Sequence, residues 1–370
     1  MRNRSTKVFV NGRFLCQTAA GVHRFGMASL ISLHNIFGDR LVVLVPSKDL
    51  VINSDTLSSF NVREVPGGSG HFWEQITLPI FMYTRGKGFL FCFSGLPPLA
   101  YHKSVYTIHD MAVYAFSKTF TGAYSRFYRC MLKLAVQRAR TLTAVSEFTR
   151  GEVWKYLGAR VPHLTNNVIG QTNPSNQNAS VLRRYGVAGR SFALSVGTIE
   201  PRKNFSILRA AAMATEWPDL AVIVVGGGGR VFATSDSSEK PTANLEYVGY
   251  VSDEDLKVLY SKAEIFIYPS LYEGFGIPPL EALASGCPVV VAKSASLPEV
   301  CGDAAEYFDP RDRDDLIRAV RRVLSDEAEE RQNRYDLGMA QIAKYSSVCQ
   351  QRQWLQVCRS LELDVENPVI

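Results

Sequence analysis

The sequence predicts an α/β protein of two doubly wound domains facing across a cleft, with a final helix returning to the first. Three observations carry this. Apolar runs of strand length recur, each followed by a helix-like stretch. The alternation stops at a polar segment and starts again. The residue groups with chemical potential fall just after predicted strands. Near-continuous apolar strands indicate a parallel sheet covered on both faces. Two such series are the pattern of two α/β layers.

In the first half the strands are "KVFV" (7–10), "LVVLV" (41–45), "FLFCF" (89–93), "VYTI" (105–108) and "TLTAV" (141–145). "GQTNPSNQNASV" (170–181) is rich in Asn, Gln and Ser and reads as a linker. The series restarts with "FALSVG" (192–197), "LAVIVVGG" (220–227), "LEYVG" (245–249), "EIFIYPS" (264–270) and "PVVVA" (288–292). The expected domains are 1–172 and 182–345, followed by a crossover helix and tail over 346–370. In that last helix Val348, Trp354, Leu355, Val357, Cys358 and Leu361 are expected to form the apolar face.

The 370 residues exceed what one compact core usually holds. Hydrophobic residues make up 46% and charged residues 21%, an ordinary soluble balance. No apolar stretch reaches the roughly 18 residues of a membrane span. "MRNRSTKVFVNG" has too short an apolar run for an export signal, so a cytoplasmic location is expected. Seven scattered cysteines without C-x-x-C suit reduced thiols and argue against structural zinc. The +6 net charge is diffuse and offers no nucleic-acid footprint.

The most informative stretch is "EGFGIPPLEALASG" (273–286). Glycines 274 and 276 permit close backbone approach, and Pro278 and Pro279 suit a first helical turn. This gives strand, glycine loop, then helix from about 278 to 285. Glu273 stands before that helix and Glu281 within its first turns. The free N–H groups of such a helix start suit a phosphate, and carboxylates on either side suit sugar hydroxyls. A ribose, a diphosphate and a hexose in line fit this spacing. The pair also reads as a helix-start charge and a solvated glutamate.

"VGTIEPRKNF" (196–205) places Arg202 and Lys203 in a loop after the first strand of the second domain, where they can grip phosphate or simply be solvated. Gly21, after the first strand of the first domain, can admit a phosphate to a helix start, though no G-x-G-x-x-G is present. In "VYTIHDM" (105–111) His109 ends a strand, as a ligand contact or a buried, hydrogen-bonded histidine. "VVGGGGRV" (224–231) lacks the P-loop ending and reads as a strand-end turn. "DED" (253–255) and "DRD" (312–314) read as first helical turns rather than metal sites.

Taken together, "EGFGIPPLEALASGCPVVVA", "SVGTIEPRKN", "SLPEVCGDAAEYFDP" (296–310) and "TIHDM" make the chain resemble glycosyltransferase family 4. These are retaining enzymes of the GT-B fold, two Rossmann-like domains using nucleotide-sugar donors. The resemblance implies that Glu281 binds the donor ribose. It implies that Glu273 and the backbone of Gly274, Phe275, Gly276 and Ile277 hold the transferred sugar. Arg202 and Lys203 would neutralise the diphosphate, Gly21 would approach it from the first domain, and His109 would lie beside the reacting sugar. No metal and no cofactor are implied. Thr198 stands where some members have a further arginine, and "LTNNVIG" (164–170) replaces their proline–asparagine–glycine turn.

"GVHRF" and "EPRKN" look like bacterial mannosyl- or rhamnosyltransferases of surface-polysaccharide assembly. The expected reaction moves a hexose, mannose from GDP-mannose, to a saccharide or polyprenyl-linked oligosaccharide acceptor. Alternatives are rhamnosyl or glucosyl transfer from a dTDP- or UDP-sugar, a sugar-nucleotide epimerase of the same fold, and a non-catalytic sensor. The stretch 124–140 mixes Arg126, Arg129, Lys133 and Arg138 with Phe127, Met131, Leu132 and Leu134. It fits peripheral contact with an anionic membrane at the cytoplasmic face, and equally a packed helix with a solvated basic face.

Overall fold

The computed structural model describes residues 7–16, 21–52, 58–170, 178–213, 220–227 and 244–365. The chain forms two compact units. One comprises Met1–Met111, Arg126–Val168 and Tyr345–Ile370; the other comprises Ala112–Ser125 and Ile169–Lys344.

The first unit is built on β1 (Val8–Asn11), β2 (Leu41–Val45), β3 (Asn61–Glu64), β4 (Leu90–Cys92), β5 (Ser104–Ile108), β6 (Thr141–Ala144) and β7 (His163–Leu164). Their order is β3-β2-β1-β4-β5-β6-β7, with every pairing parallel. The second unit holds β8 (Phe192–Val196), β9 (Ala221–Val225), β10 (Leu245–Gly249), β11 (Ile265–Tyr268), β12 (Val289–Ala292) and β13 (Ala305–Phe308). Their order is β10-β9-β8-β11-β12-β13, again all parallel. In each sheet the chain winds one way from the first strand, returns, and winds the other way. The strand order therefore reverses between β1 and β4, and between β8 and β11. Those are the points where parallel sheets bind ligands beyond their strand ends.

Central strands are buried on both faces, which is why they read as continuous apolar runs: β2 and β9 have no exposed residue. β3, β7 and β13 escaped the sequence reading. β3 is an exposed edge, β7 has two residues, and β13 ("AEYF") has its two middle residues half-buried.

Two boundaries differ from expectation. Ala112–Ser125, expected in the first domain, belongs to the second unit, where the Phe116 ring lies 5.4 Å from that of Tyr272. Of the expected linker, 171–177 lie outside the described residues, and Asn178–Arg184 is helical. Val181 is buried there, and Arg184 and Tyr185 both bond Asp255 at 2.5 and 3.0 Å. The tail packs on the first unit, as expected. The helix Ser347–Ser360 buries Trp354, Leu355, Val357 and Cys358, with Trp354 5.7 and 5.4 Å from the Phe91 and Phe93 rings. Gln350 bonds Ser32 Oγ and the Asn166 carbonyl at 3.1 and 2.8 Å. Val348, in the first turn of the helix, is exposed, so it leaves the expected apolar face.

Among the described residues no helix is long and apolar enough to cross a membrane.

Candidate active site

β8 and β11 are neighbours with Ile265 opposite Ala193, so the loops after them emerge side by side. The first loop turns through Pro201–Lys203 and the second runs through Ser270 to Glu273. They are stitched together. The Leu271 amide donates to the Arg202 carbonyl (2.8 Å), and Asn204 Nδ2 donates to the carbonyls of Pro269 and Pro310 (3.2 and 2.9 Å). Asn204 holds φ +58, a left-handed value that asparagine tolerates. Ser296, fully buried, donates to the carbonyls of Glu273 and Phe275 (2.9 and 2.6 Å) and fixes the glycine loop from behind.

This places Arg202 and Lys203 directly on Glu273. Lys203 Nζ donates to Glu273 Oε1 at 2.6 Å, and Arg202 Nη1 approaches Oε2 at 3.2 Å. Ser270 Oγ and the Tyr268 hydroxyl add donors to Oε1 at 2.6 and 2.9 Å. Arg202 also donates to Glu200 Oε1 and the Tyr272 carbonyl, both at 2.6 Å. Burial works to raise the Glu273 pKa, but Lys203 and Arg202 outweigh it and hold the carboxyl down at about 2. Glu273 is therefore an ionised acceptor at neutral pH. Burial raises the Glu200 carboxyl, against the pull of Arg202 and Lys203, and its buried Oε2 has no hydrogen-bond partner among the described residues. Burial, with Glu273 close by, lifts the Tyr268 phenol well above its ordinary value, so it stays a neutral donor.

Two carboxylates against two cations make the cluster close to neutral without a ligand. The sequence reading gave the cations to a diphosphate and Glu273 to a sugar; here they hold one another.

Gly276 has φ +112, a conformation that L side chains rarely adopt, and it leads into the helix Ile277–Ala284 with Pro278 and Pro279 in its first turn. Gly274 and Phe275 are buried and Ile277 half-buried. Glu281 is the fifth helical residue, beyond the first turn, so it is not a helix-start charge. It accepts a 3.1 Å bond from the Tyr260 hydroxyl.

His109 and Gly21 belong to the first unit. His109 follows β5, and its Nε2–H donates to the Phe93 carbonyl at 2.6 Å, with the Phe25 ring 4.9 Å away. A carbonyl only accepts, so the proton sits on Nε2 and Nδ1 carries the lone pair. Burial lowers its pKa, opposed by the Phe93 bond and Asp110. Gly21 opens the helix Gly21–Phe37 and is exposed.

Of the other motifs, Asp253–Asp255 form a first helical turn capped by Ser252, and Asp312 caps the next helix through the Asp314 and Asp315 amides. Among the described residues no three His, Cys, Asp or Glu side chains gather as a metal-holding group. The glycine run 224–231 is described only to Gly227. There Gly226, at φ +146, passes so close to Gly197 that a Cβ would lie 1.9 Å from its carbonyl oxygen. Glu200, Tyr260, Tyr268, Ser270 and Ser296 were missed. Tyr268 and Ser270 had a signal, as polar residues ending the apolar strand "IFIYPS".

Two doubly wound parallel sheets, one with a buried cation–carboxylate cluster at its switch point, define a GT-B glycosyltransferase. The chain belongs to the family described as glycosyl transferases group 1, whose model matches residues 185–337. O-antigen chain mannosyltransferase B of Escherichia coli is 30% identical over 260 residues, covering 67% of this chain and 68% of that one. Serotype-specific mannosyltransferase WbdA of Escherichia coli is 30% identical over 262 residues, 66% of this chain; the chain spans about a third of WbdA, 32% of its length. In fold, Anabaena HepE in complex with UDP and glucose superposes with a TM-score of 0.70 at 16% identity, covering 96% of this chain and 100% of that one.

Proposed function

We propose that the chain transfers mannose from GDP-mannose, with retention, to a saccharide acceptor carried on a lipid, in surface-polysaccharide assembly. The mannosyltransferase relatives support the sugar. The observation carrying the mechanism is the Lys203–Glu273–Arg202 cluster at the β8/β11 switch point. Donor binding exchanges partners within it. Diphosphate oxygens take over Arg202 and Lys203, and mannose hydroxyls replace those N–H groups on Glu273. The ionised carboxylate suits this because it can only accept. Glu281, with Tyr260, receives the ribose hydroxyls.

In the reaction the bond between the sugar C1 and the phosphate oxygen breaks, and a bond from C1 to the acceptor oxygen forms. The acceptor proton passes to the leaving diphosphate. Arg202 and Lys203 stabilise the charge developing on that diphosphate, so no metal is called for, and no side chain acts as a covalent nucleophile. His109, with its Nδ1 lone pair, accepts from the reacting sugar, and Gly21 gives the diphosphate an approach to the start of its helix. A lipid-linked acceptor agrees with the exposed Arg126, Phe127, Arg129, Lys133 and Leu134 on the helix Gly122–Arg138. Leu132 is buried and Met131 half-buried, so these two do not join that surface.

The test is a thermal-shift panel of GDP-, UDP-, dTDP- and ADP-linked sugars, followed by nucleoside diphosphate release from the selected donor. GDP-mannose is expected to stabilise the chain and be consumed. Lys203→Ala is expected to cut kcat at least a hundredfold, in line with the loss of one charge-stabilising donor. Selection of another base overturns the donor; full activity in Lys203→Ala overturns the diphosphate role.

A further inference from the structure

The first unit has a switch point of its own, between β1 and β4, and the function proposed above leaves a side-chain cluster there unused. Asn11 ends β1 and Arg13 follows it; Gly95 comes shortly after β4. Among them stands Glu74, fully buried. Its Oε1 accepts from Asn11 Nδ2 at 3.1 Å, and its Oε2 is ion-paired with Arg13 Nη1 and lies 3.4 Å from His71 Nδ1. His71 Nε2 is 2.8 Å from the Tyr128 hydroxyl. Gly95, at φ +64, packs so closely that a Cβ would stand 3.3 Å from Glu74 Oε1 and 3.4 Å from Arg13 Nη1. Glu74 sits in a π-helical turn, Trp73–Thr77, a local irregularity that often accompanies functional sites and here aims its carboxylate at the strand ends.

A carboxylate with purely internal partners would be sealed. Glu74 instead holds side chains that reach the surface: the Arg13 side chain is 17% exposed and that of His71 39%. The Arg13 charge is cancelled by Glu74, so the outward-facing group offers hydrogen bonds with little net charge. That suits neutral hydroxyls and not a phosphate.

We propose that Arg13, held by buried Glu74, and Tyr128, held through His71, hydrogen-bond hydroxyl groups of the acceptor saccharide. This rests on the reading of the chain as a nucleotide-sugar-dependent saccharide transferase and assigns the acceptor side of that reaction. Glu74 and His71 are positioning residues; Arg13 and Tyr128 touch the acceptor.

The test uses the full chain with Arg13→Lys, His71→Gln and Glu74→Gln. Octyl glycosides ending in mannose, rhamnose, glucose or galactose serve as acceptors, and the wild type's best one is used. Donor affinity is measured separately by calorimetry without acceptor. The acceptor KM is expected to rise at least tenfold in each variant, with the donor Kd within twofold of wild type. An unchanged acceptor KM, or a donor Kd that moves with it, overturns the proposal. Glu74→Gln disturbs a buried ion pair and can lower stability, so the two half-exposed substitutions carry the result if it fails to fold. A wild-type chain that does not consume GDP-mannose counts against the donor reading alone, and the same variants are then measured with the donor selected by the panel.

Discussion

Replacing Glu273 by glutamine tests the electrostatics of the donor site without any ligand. A carboxyl held at about 2 instead of 4.5 favours the folded state by about 3 kcal/mol when ionised, at about 1.4 kcal/mol per tenfold. Because the folded value lies below the unfolded one, this stabilisation is complete above about pH 5. It fades as the pH falls towards 2. At pH 3.5 roughly 2 kcal/mol of it remains by the same linkage relation. At pH 7 Glu273→Gln should therefore be less stable by about 3–5 kcal/mol, the usual cost of removing one partner from a buried ion pair. At pH 3.5 the gap should narrow by about 1–1.5 kcal/mol. Carboxyls away from the cluster titrate alike in both proteins and cancel in the difference, whereas Glu200, which burial and the Glu273 charge raise, is replaced by glutamine in both. The assay is urea unfolding read by pulsed hydrogen exchange on β8 and β11, so that the second unit reports. A gap that stays constant from pH 7 to pH 3.5 refutes the account of Glu273 as an ionised, cation-held carboxylate.

Further outcomes are expected. Glu281→Ala should raise the donor KM about tenfold, near the 1.4 kcal/mol of one lost hydroxyl contact, in a diphosphate-release assay; an unchanged KM removes the ribose role. Gly276→Ala should destabilise the second unit by about 1–3 kcal/mol, because alanine is strained at φ +112; denaturation at neutral pH decides. Trp354→Ala should cost about 3–5 kcal/mol in the first unit, as a large buried ring is lost from against Phe91 and Phe93; an unfolding midpoint like the wild type's would contradict that packing. The chain should sediment with vesicles containing anionic lipid and less so after Arg126→Ser with Phe127→Ser; equal sedimentation without anionic lipid removes the membrane contact.

Most strands were legible because a strand buried on both faces has to be apolar along its length, as in β2 and β9. The helix after "EGFG" was legible for a different reason: Pro278, Pro279 and Gly286 each restrict the backbone locally. Edge strands such as β3 carry neither signal. Within the site, "EPRKN" and "EGFGIPPLE" marked Arg202, Lys203, Glu273 and Glu281, since each motif follows a strand. The ion pairs between them were not legible, because 70 residues separate Lys203 from Glu273. The same holds for Glu74, which has no motif around it and becomes notable only beside Asn11 and Arg13.

The sequence by itself determined the α/β class, the two series of strands and the ends of the helix that follows Gly276. These depend on neighbours a few residues apart, through periodicity and backbone restriction. Only the tertiary structure decided which strands reverse the winding order and which side chains meet there. It set Arg202 and Lys203 on Glu273, drew Ala112–Ser125 into the second unit and turned Glu74 towards β1. Parallel pairing brings residues from distant parts of the chain to one edge, and no local pattern records which of them will be partners.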